Sequence, residues 1–193
     1  MAIKIYIDQG HNPSNPNAGA EGNGLREQDI NYEVGILTAQ LLAADPNYEV
    51  RLSRPTPETS LGTTNAESLA QRVTDANNWG ADYFISIHAN ASTITSASGS
   101  EAFVYSSSSP AYGLAQDILQ NMSATTGLAD RGVFIRPSLY VLRKTRMPAL
   151  LLELGFITNP DDARLMNEHP EYFAQGIYNG IREYFGTPAP AAQ

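Results

Sequence analysis

The stretch PALLLELGF (148–156) offers almost nothing polar to either side of a strand, and this constrains the fold more than any other feature of the chain. A strand with one wet face alternates apolar and polar residues. A near-continuous apolar run must be covered on both faces, as in the middle of a mostly parallel sheet with helices on either side. ADYFISIH (81–88) has the same character, and AIKIYID (2–8) reads as a third buried strand with alternation. YEVRLSR (48–54), GSEAFVYS (99–106) and SLYVLR (138–143) are predicted as further, more exposed strands. None of these runs approaches the roughly 20 apolar residues of a membrane span, so no membrane insertion is expected.

Between the strands the period changes. In LREQDINYEVGILTAQLLAA (25–44) the residues Ile30, Val34, Leu37, Leu41 and Ala44 follow the three/four spacing of one helix face. AESLAQRVTDANNWG repeats it with Leu69, Val73 and Ala76, and YGLAQDILQNM with Ala115, Ile118, Leu119 and Met122. NPDD opens a short helix to about Asn167, and a last helix carries Phe173, Ile177, Ile181 and Tyr184. The expected fold is therefore α/β: one twisted, mostly parallel β-sheet with helices on both faces. Residues 1–186 form one predicted domain, and 187–193 a Pro/Ala-rich tail that reads as the start of a linker toward a further module. The Ser-rich stretches 91–100 and 106–109 read as flexible loops.

In open α/β sheets, ligands bind at the carboxyl ends of the strands. Just past, or at the end of, the three most buried strands stand His11, His88 and Glu153. Glu27 lies three residues before Ile30 and seven before Val34, on the inward stripe of its helix and in its first turn. A carboxylate aimed at the core needs a cation. The chain has no cysteine, so any metal must be held by histidine and carboxylate. Two imidazoles and one carboxylate with an open fourth position are the ligand set of a catalytic zinc, which leaves Glu153 for proton transfer. Each residue taken alone has a plainer reading. First-turn glutamates favour the helix dipole, strand-end histidines often hydrogen-bond loops, and a buried glutamate is as compatible with an arginine partner as with catalysis. His169, in NEHPEY, is expected at the surface. The net charge of −8 argues against nucleic acid and anionic membrane surfaces as partners.

At these residues the chain resembles the zinc-dependent N-acetylmuramoyl-L-alanine amidases of bacteria and their phages. The matching blocks run in order: IDQGH (7–11), GLREQDIN (24–31), ISIHAN (85–90), GSEAFVY (99–105), DRGV (130–133) and YVLRKTRMPALLLELGFITNPDDARLM (140–166). The resemblance implies one zinc ion per chain held by His11, Glu27 and His88, and Glu153 as catalytic glutamate. It also implies hydrolysis of the amide between the lactyl group of N-acetylmuramic acid and L-alanine of the peptidoglycan stem, by a monomer acting outside the cell or in its wall. The route there is open, because MAIKIYID enters a strand pattern directly and does not read as a signal peptide. Asn90 and Glu101 recur in the matching blocks, where support of the site or its rim and a structural role are both open readings. Asn90, Arg131 and Arg146 are candidate substrate-binding residues, with loop capping as the other reading for the two arginines. One departure stands out: the family's glycine-rich run after the first histidine is replaced by Asn12, Pro13, Ser14, Asn15 and Pro16. Between His88 and Gly99 there is no room for the helical insertion that blocks some family members, so an open groove is expected. The alternatives are a zinc peptidase acting on the stem peptide and an inactive wall-binding module.

Overall fold

The computed structural model describes residues 1–188. In chain order the elements are β1 (Ile3–Gln9), β2 (Glu21–Gly22), β3 (Leu25–Arg26), α1 (Glu27–Ala43), β4 (Tyr48–Leu52), α2 (Asn65–Trp79) and β5 (Tyr83–Asn90). There follow β6 (Ser100–Val104), α3 (Pro110–Thr126), β7 (Asp130–Ile135), α4 (Tyr140–Lys144), β8 (Ala149–Phe156), α5 (Pro160–Glu168) and α6 (Pro170–Phe185). Six strands form one sheet in the order β4-β1-β5-β8-β6-β7, and β2 and β3 make a separate ribbon. All sheet pairings are parallel except β6 with β8. The two near-continuous apolar runs occupy neighbouring central places, as a strand covered on both faces must.

Alternation within the central strands sorts two cores. Ile5 and Ile7, Ile85 and Ile87, and Leu150, Leu152 and Leu154 pack with residues of α1, α3 and α6. Tyr6, Phe84, Ala149 and Leu151 point the other way and pack with Val73 and Ala76 of α2 and Val141 and Leu142 of α4. On this second face the next positions toward the strand carboxyl ends turn polar: Asp8, Ser86, His88 and Glu153. The α1/α3/α6 layer is dense. A Cβ on Gly180 would lie 2.4 Å from Ile118 Cα, so α6 approaches α3 only through glycine there.

The local chemistry accounts for most element starts. Asn159 Oδ1 accepts the N–H groups of Asp161 and Asp162, so NPDD does begin a helix. Thr64 Oγ1 accepts from Glu67 N–H at the start of α2. One expected strand is overturned: SLYVLR is not extended, and its centre is helix α4. Val141 and Leu142 are both buried, side by side, which a strand with one covered face cannot do. Arg143 and Lys144 in the last turn suit the helix dipole. The sixth strand is instead DRGVFI, β7, an edge strand with no buried residue and hence no apolar signature. The tail beyond residue 188, where a linker was expected, lies outside the described residues. No helix among the described residues is long and apolar enough to cross a membrane.

Candidate metal centre

The polar end of the second face brings three of the expected residues together. His11 follows β1, Glu27 opens α1 and His88 lies near the end of β5. His11 Nε2 is 3.1 Å and His88 Nδ1 2.9 Å from the same oxygen, Glu27 Oε1. The two rings meet nearly edge to face, with centroids 4.9 Å apart. Glu27 is 5% exposed, and its carboxylate is oriented by Ala20 N–H on Oε2 at 2.8 Å and Ala89 N–H on Oε1 at 3.2 Å. Burial alone would raise its pKa, but the facing nitrogens of His11 and His88 outweigh it and hold the carboxyl far below its ordinary range.

Backbone shape makes the cluster possible. A Cβ on Gly10 would fall 2.4 Å from the His88 ring, and one on Gly19 would fall 2.8 Å from Glu27 Oε2. Only glycine lets the end of β1 and the following loop press against the ligand-bearing side chains. His11 itself adopts φ +68°, the left-handed region.

These residues fit a zinc-type ion. Three ligand-capable atoms from two imidazoles and a carboxylate lie within 4.8 Å of one another. That is a borderline donor set with room for a further ligand. The second ring nitrogen of His11, Nδ1, is buried without a partner among the described residues, so none of them competes to fix the imidazole in another role.

Glu153 sits beside the cluster, opposite His88 in the β5/β8 ladder and opposite Glu101 in the β6/β8 ladder. Its Oε2 is buried and has no hydrogen-bond partner among the described residues. Burial pushes its pKa well above the usual carboxylate range, and the charges of Glu27 and Glu101 push further in the same direction. Among the described residues no arginine pairs with Glu153, although one reading of the sequence allowed such a partner. Arginine is found instead on Glu101, whose oxygens accept from Asn90 Nδ2 at 2.8 Å and Arg131 Nε at 2.9 Å. Arg131 also donates to the Ser98 carbonyl and lies over the Phe156 ring.

Arg146 is not brought to this group. It precedes β8, at the opposite end of that strand from Glu153, and its backbone N–H donates to Asn77 Oδ1. His169 is at the surface as expected, stacked on Tyr172 and paired with Glu171. A cavity of about 140 Å³ opens beside the cluster, walled by Gly10, His11, His88, Leu139, Tyr140 and Leu151. A larger hollow of about 470 Å³, next to Tyr6, Glu67 and Asp75, contains none of the four residues. Sequence reasoning missed Arg72 and Asp8, which lie buried behind His11. The signal was present in α2, where Arg72 falls beside the apolar stripe of Leu69, Val73 and Ala76.

A family model described as N-acetylmuramoyl-L-alanine amidase matches residues 5–183. The chain is 36% identical to N-acetylmuramoyl-L-alanine amidase CwlM of Bacillus licheniformis, over 98% of this chain and 72% of that protein. It is 34% identical to N-acetylmuramoyl-L-alanine amidase LytC of Bacillus subtilis (strain 168), over 94% of this chain but only 35% of that longer protein. Among solved structures, the catalytic domain of CwlV, an N-acetylmuramoyl-L-alanine amidase from Bacillus (Paenibacillus) polymyxa var. colistinus, superimposes with a TM-score of 0.83. That match has 33% identity and covers 96% of this chain and 99% of that domain.

Proposed function

The chain belongs to the N-acetylmuramoyl-L-alanine amidase family, and from that premise we propose that it is a zinc-dependent peptidoglycan hydrolase. It cleaves the amide between the lactyl group of N-acetylmuramic acid and L-alanine of the stem peptide. His11, Glu27 and His88 hold one zinc ion, and Glu153 is the general base. The observation that carries this reading is the free, buried Oε2 of Glu153 beside a cluster of three convergent ligand atoms. Residues 1–186 are the catalytic domain, supported by the end-to-end match to the isolated CwlV domain. The four residues come from one chain, so a monomer suffices. The substrate places its action in the cell wall, outside the cell.

When bound, zinc supplies Lewis acidity, polarising the scissile carbonyl and acidifying water. Glu153 accepts a proton from the attacking water at Oε2 and returns it to the departing L-alanine nitrogen. Asn90 and Arg131 keep the Glu101 carboxylate hydrogen-bonded one strand away, so its charge acts on Glu153 from a fixed place. Arg131, half-exposed on the same rim, is placed to meet a stem-peptide carboxylate. Arg146 would meet substrate only along the far end of β8, and no contact beyond its exposed position supports that role.

Digestion of purified peptidoglycan with added zinc tests the function. The expected products are intact glycan strands and stem peptides with a free L-alanine amine. Cleavage inside the stem would make the protein a peptidase instead.

A further inference from the structure

Two arginines lie buried outside the metal centre, Arg54 and Arg72, and of these Arg72 reaches the loop that bears His11. Arg72 is 1% exposed in the middle of α2. Its ion pair with Asp8, at 2.7 Å, does not by itself account for the arginine, since a buried ion pair rarely improves on an apolar pair of the same volume. The other donors supply the reason. Nη1 also donates to the Gln9 carbonyl at 2.6 Å, and Nη2 donates to the His11 carbonyl and to Asn12 Oδ1 at 3.2 Å. The guanidinium therefore grips the chain on both sides of Gly10, where β1 ends and the loop bearing His11 begins.

His11 stands at φ +68°, a conformation that persists in a non-glycine residue only where the surroundings over-determine it. Its neighbours are restrained elsewhere: Gly10 N–H donates to the Ile87 carbonyl, and Asn12 Nδ2 donates to the carbonyls of Pro16 and Leu61. Among the described hydrogen bonds, Arg72 alone holds the carbonyl of His11 itself. A lysine would keep the charge against Asp8 but lacks the planar fork that spans these acceptors.

We propose that Arg72 is the positioning residue of the centre, locking the His11 peptide so that Nε2 is aimed at Glu27 and His88 before an ion arrives. The inference rests on the reading that those three residues bind zinc. A ligand held in its competent conformation loses no affinity to unproductive ones.

The test is zinc titration of the chelator-stripped full chain by calorimetry, with thermal melts alongside. Arg72→Lys should fold cooperatively and bind zinc roughly 10- to 100-fold more weakly than wild type. Ser86→Ala removes the other partner of Asp8, at 2.7 Å, without touching His11. It should lower the melting temperature and leave zinc affinity at the wild-type value. Should Arg72→Lys fail to fold, the Asp8→Asn/Arg72→Met double variant leaves no unpaired buried charge and carries the same expected loss. Wild-type affinity in whichever of these two variants folds, or an equal loss in Ser86→Ala, would overturn the positioning role while leaving the metal site intact. A wild-type chain that takes up no zinc would overturn the metal reading itself, and this inference with it.

Discussion

Glu153 faces His88 directly across the parallel β5/β8 ladder. In-register residues on neighbouring strands project from the same face, so the carboxylate and the imidazole stand side by side. Their relation is set by the hydrogen-bonded sheet and not by a loop. A site whose partners stand on rigid elements keeps its geometry when surrounding loops vary.

Glutamine at 153 keeps the shape of the side chain and removes the proton acceptor. In Glu153→Gln, turnover of purified peptidoglycan should fall about 100- to 10,000-fold, the range general-base catalysis supplies. Zinc should remain at one per chain by elemental analysis. Unchanged turnover would take Glu153 out of the reaction.

The same substitution should stabilise the metal-free fold. Burial, then the charges of Glu27 and Glu101, raise the proton affinity of Glu153. In chelator-treated protein the folded state thus keeps a proton that the unfolded chain has already released. Stability declines as pH climbs from the ordinary glutamate range through the raised folded value. Glu153→Gln abolishes that decline, so its melting temperature should exceed wild type above neutral pH and approach it in the ordinary glutamate range. Melts across pH decide it, and a constant gap between the two curves would mean that burial does not strain this carboxylate.

How far the sequence alone reached follows from what each residue does. His11, His88 and Glu153 were legible because they interrupt or end buried apolar runs, and Glu27 because it breaks an apolar helical stripe. These four violate local expectation, and such violations concentrate at functional sites. β7 was illegible because an exposed edge strand has no apolar pattern to read. α4 was misread because a short run of aromatic and β-branched residues fits either period, and tertiary burial of both Val141 and Leu142 decides it. For Arg146 the sequence left substrate binding and loop capping open, and the strand carries it to the opposite rim of the sheet from Glu153.

Acid should unfold the protein partly through Asp8. Burial would raise its pKa, yet Arg72 and the hydroxyl of Ser86 hold it below the ordinary value. A depressed folded pKa gives stability that is present above the unfolded value and lost as pH falls through the folded one. Ser86→Ala removes one charged hydrogen bond, worth about 1.5–3 kcal/mol where it leaves the buried charge short of a partner. The acid midpoint followed by circular dichroism should move to higher pH, and an unmoved midpoint would show that Asp8 does not govern the transition.

Gly180→Ala probes the fold independently of the site. The added methyl meets Ile118 backbone at 2.4 Å, which forces α6 away from α3. Overpacking of this kind costs about 1–3 kcal/mol. The melting temperature should drop while zinc affinity stays at the wild-type value, because neither helix carries a ligand.

Gly10→Ala is expected to do the reverse and strike the metal centre first. Its methyl would fall 2.4 Å from the His88 ring, and moving the ring aside disturbs the 2.9 Å approach of Nδ1 to Glu27 Oε1. An ion that binds only the folded state stabilises it by mass action, about 2.7 kcal/mol at a concentration 100 times its dissociation constant. Added zinc should therefore raise the melting temperature of the chelator-stripped wild type and restore its activity. In Gly10→Ala both responses should shrink sharply, and in His88→Ala, which deletes a ligand outright, both should disappear. Full zinc-dependent stabilisation of His88→Ala would mean that the ion sits elsewhere, and the ligand assignment would have to be abandoned.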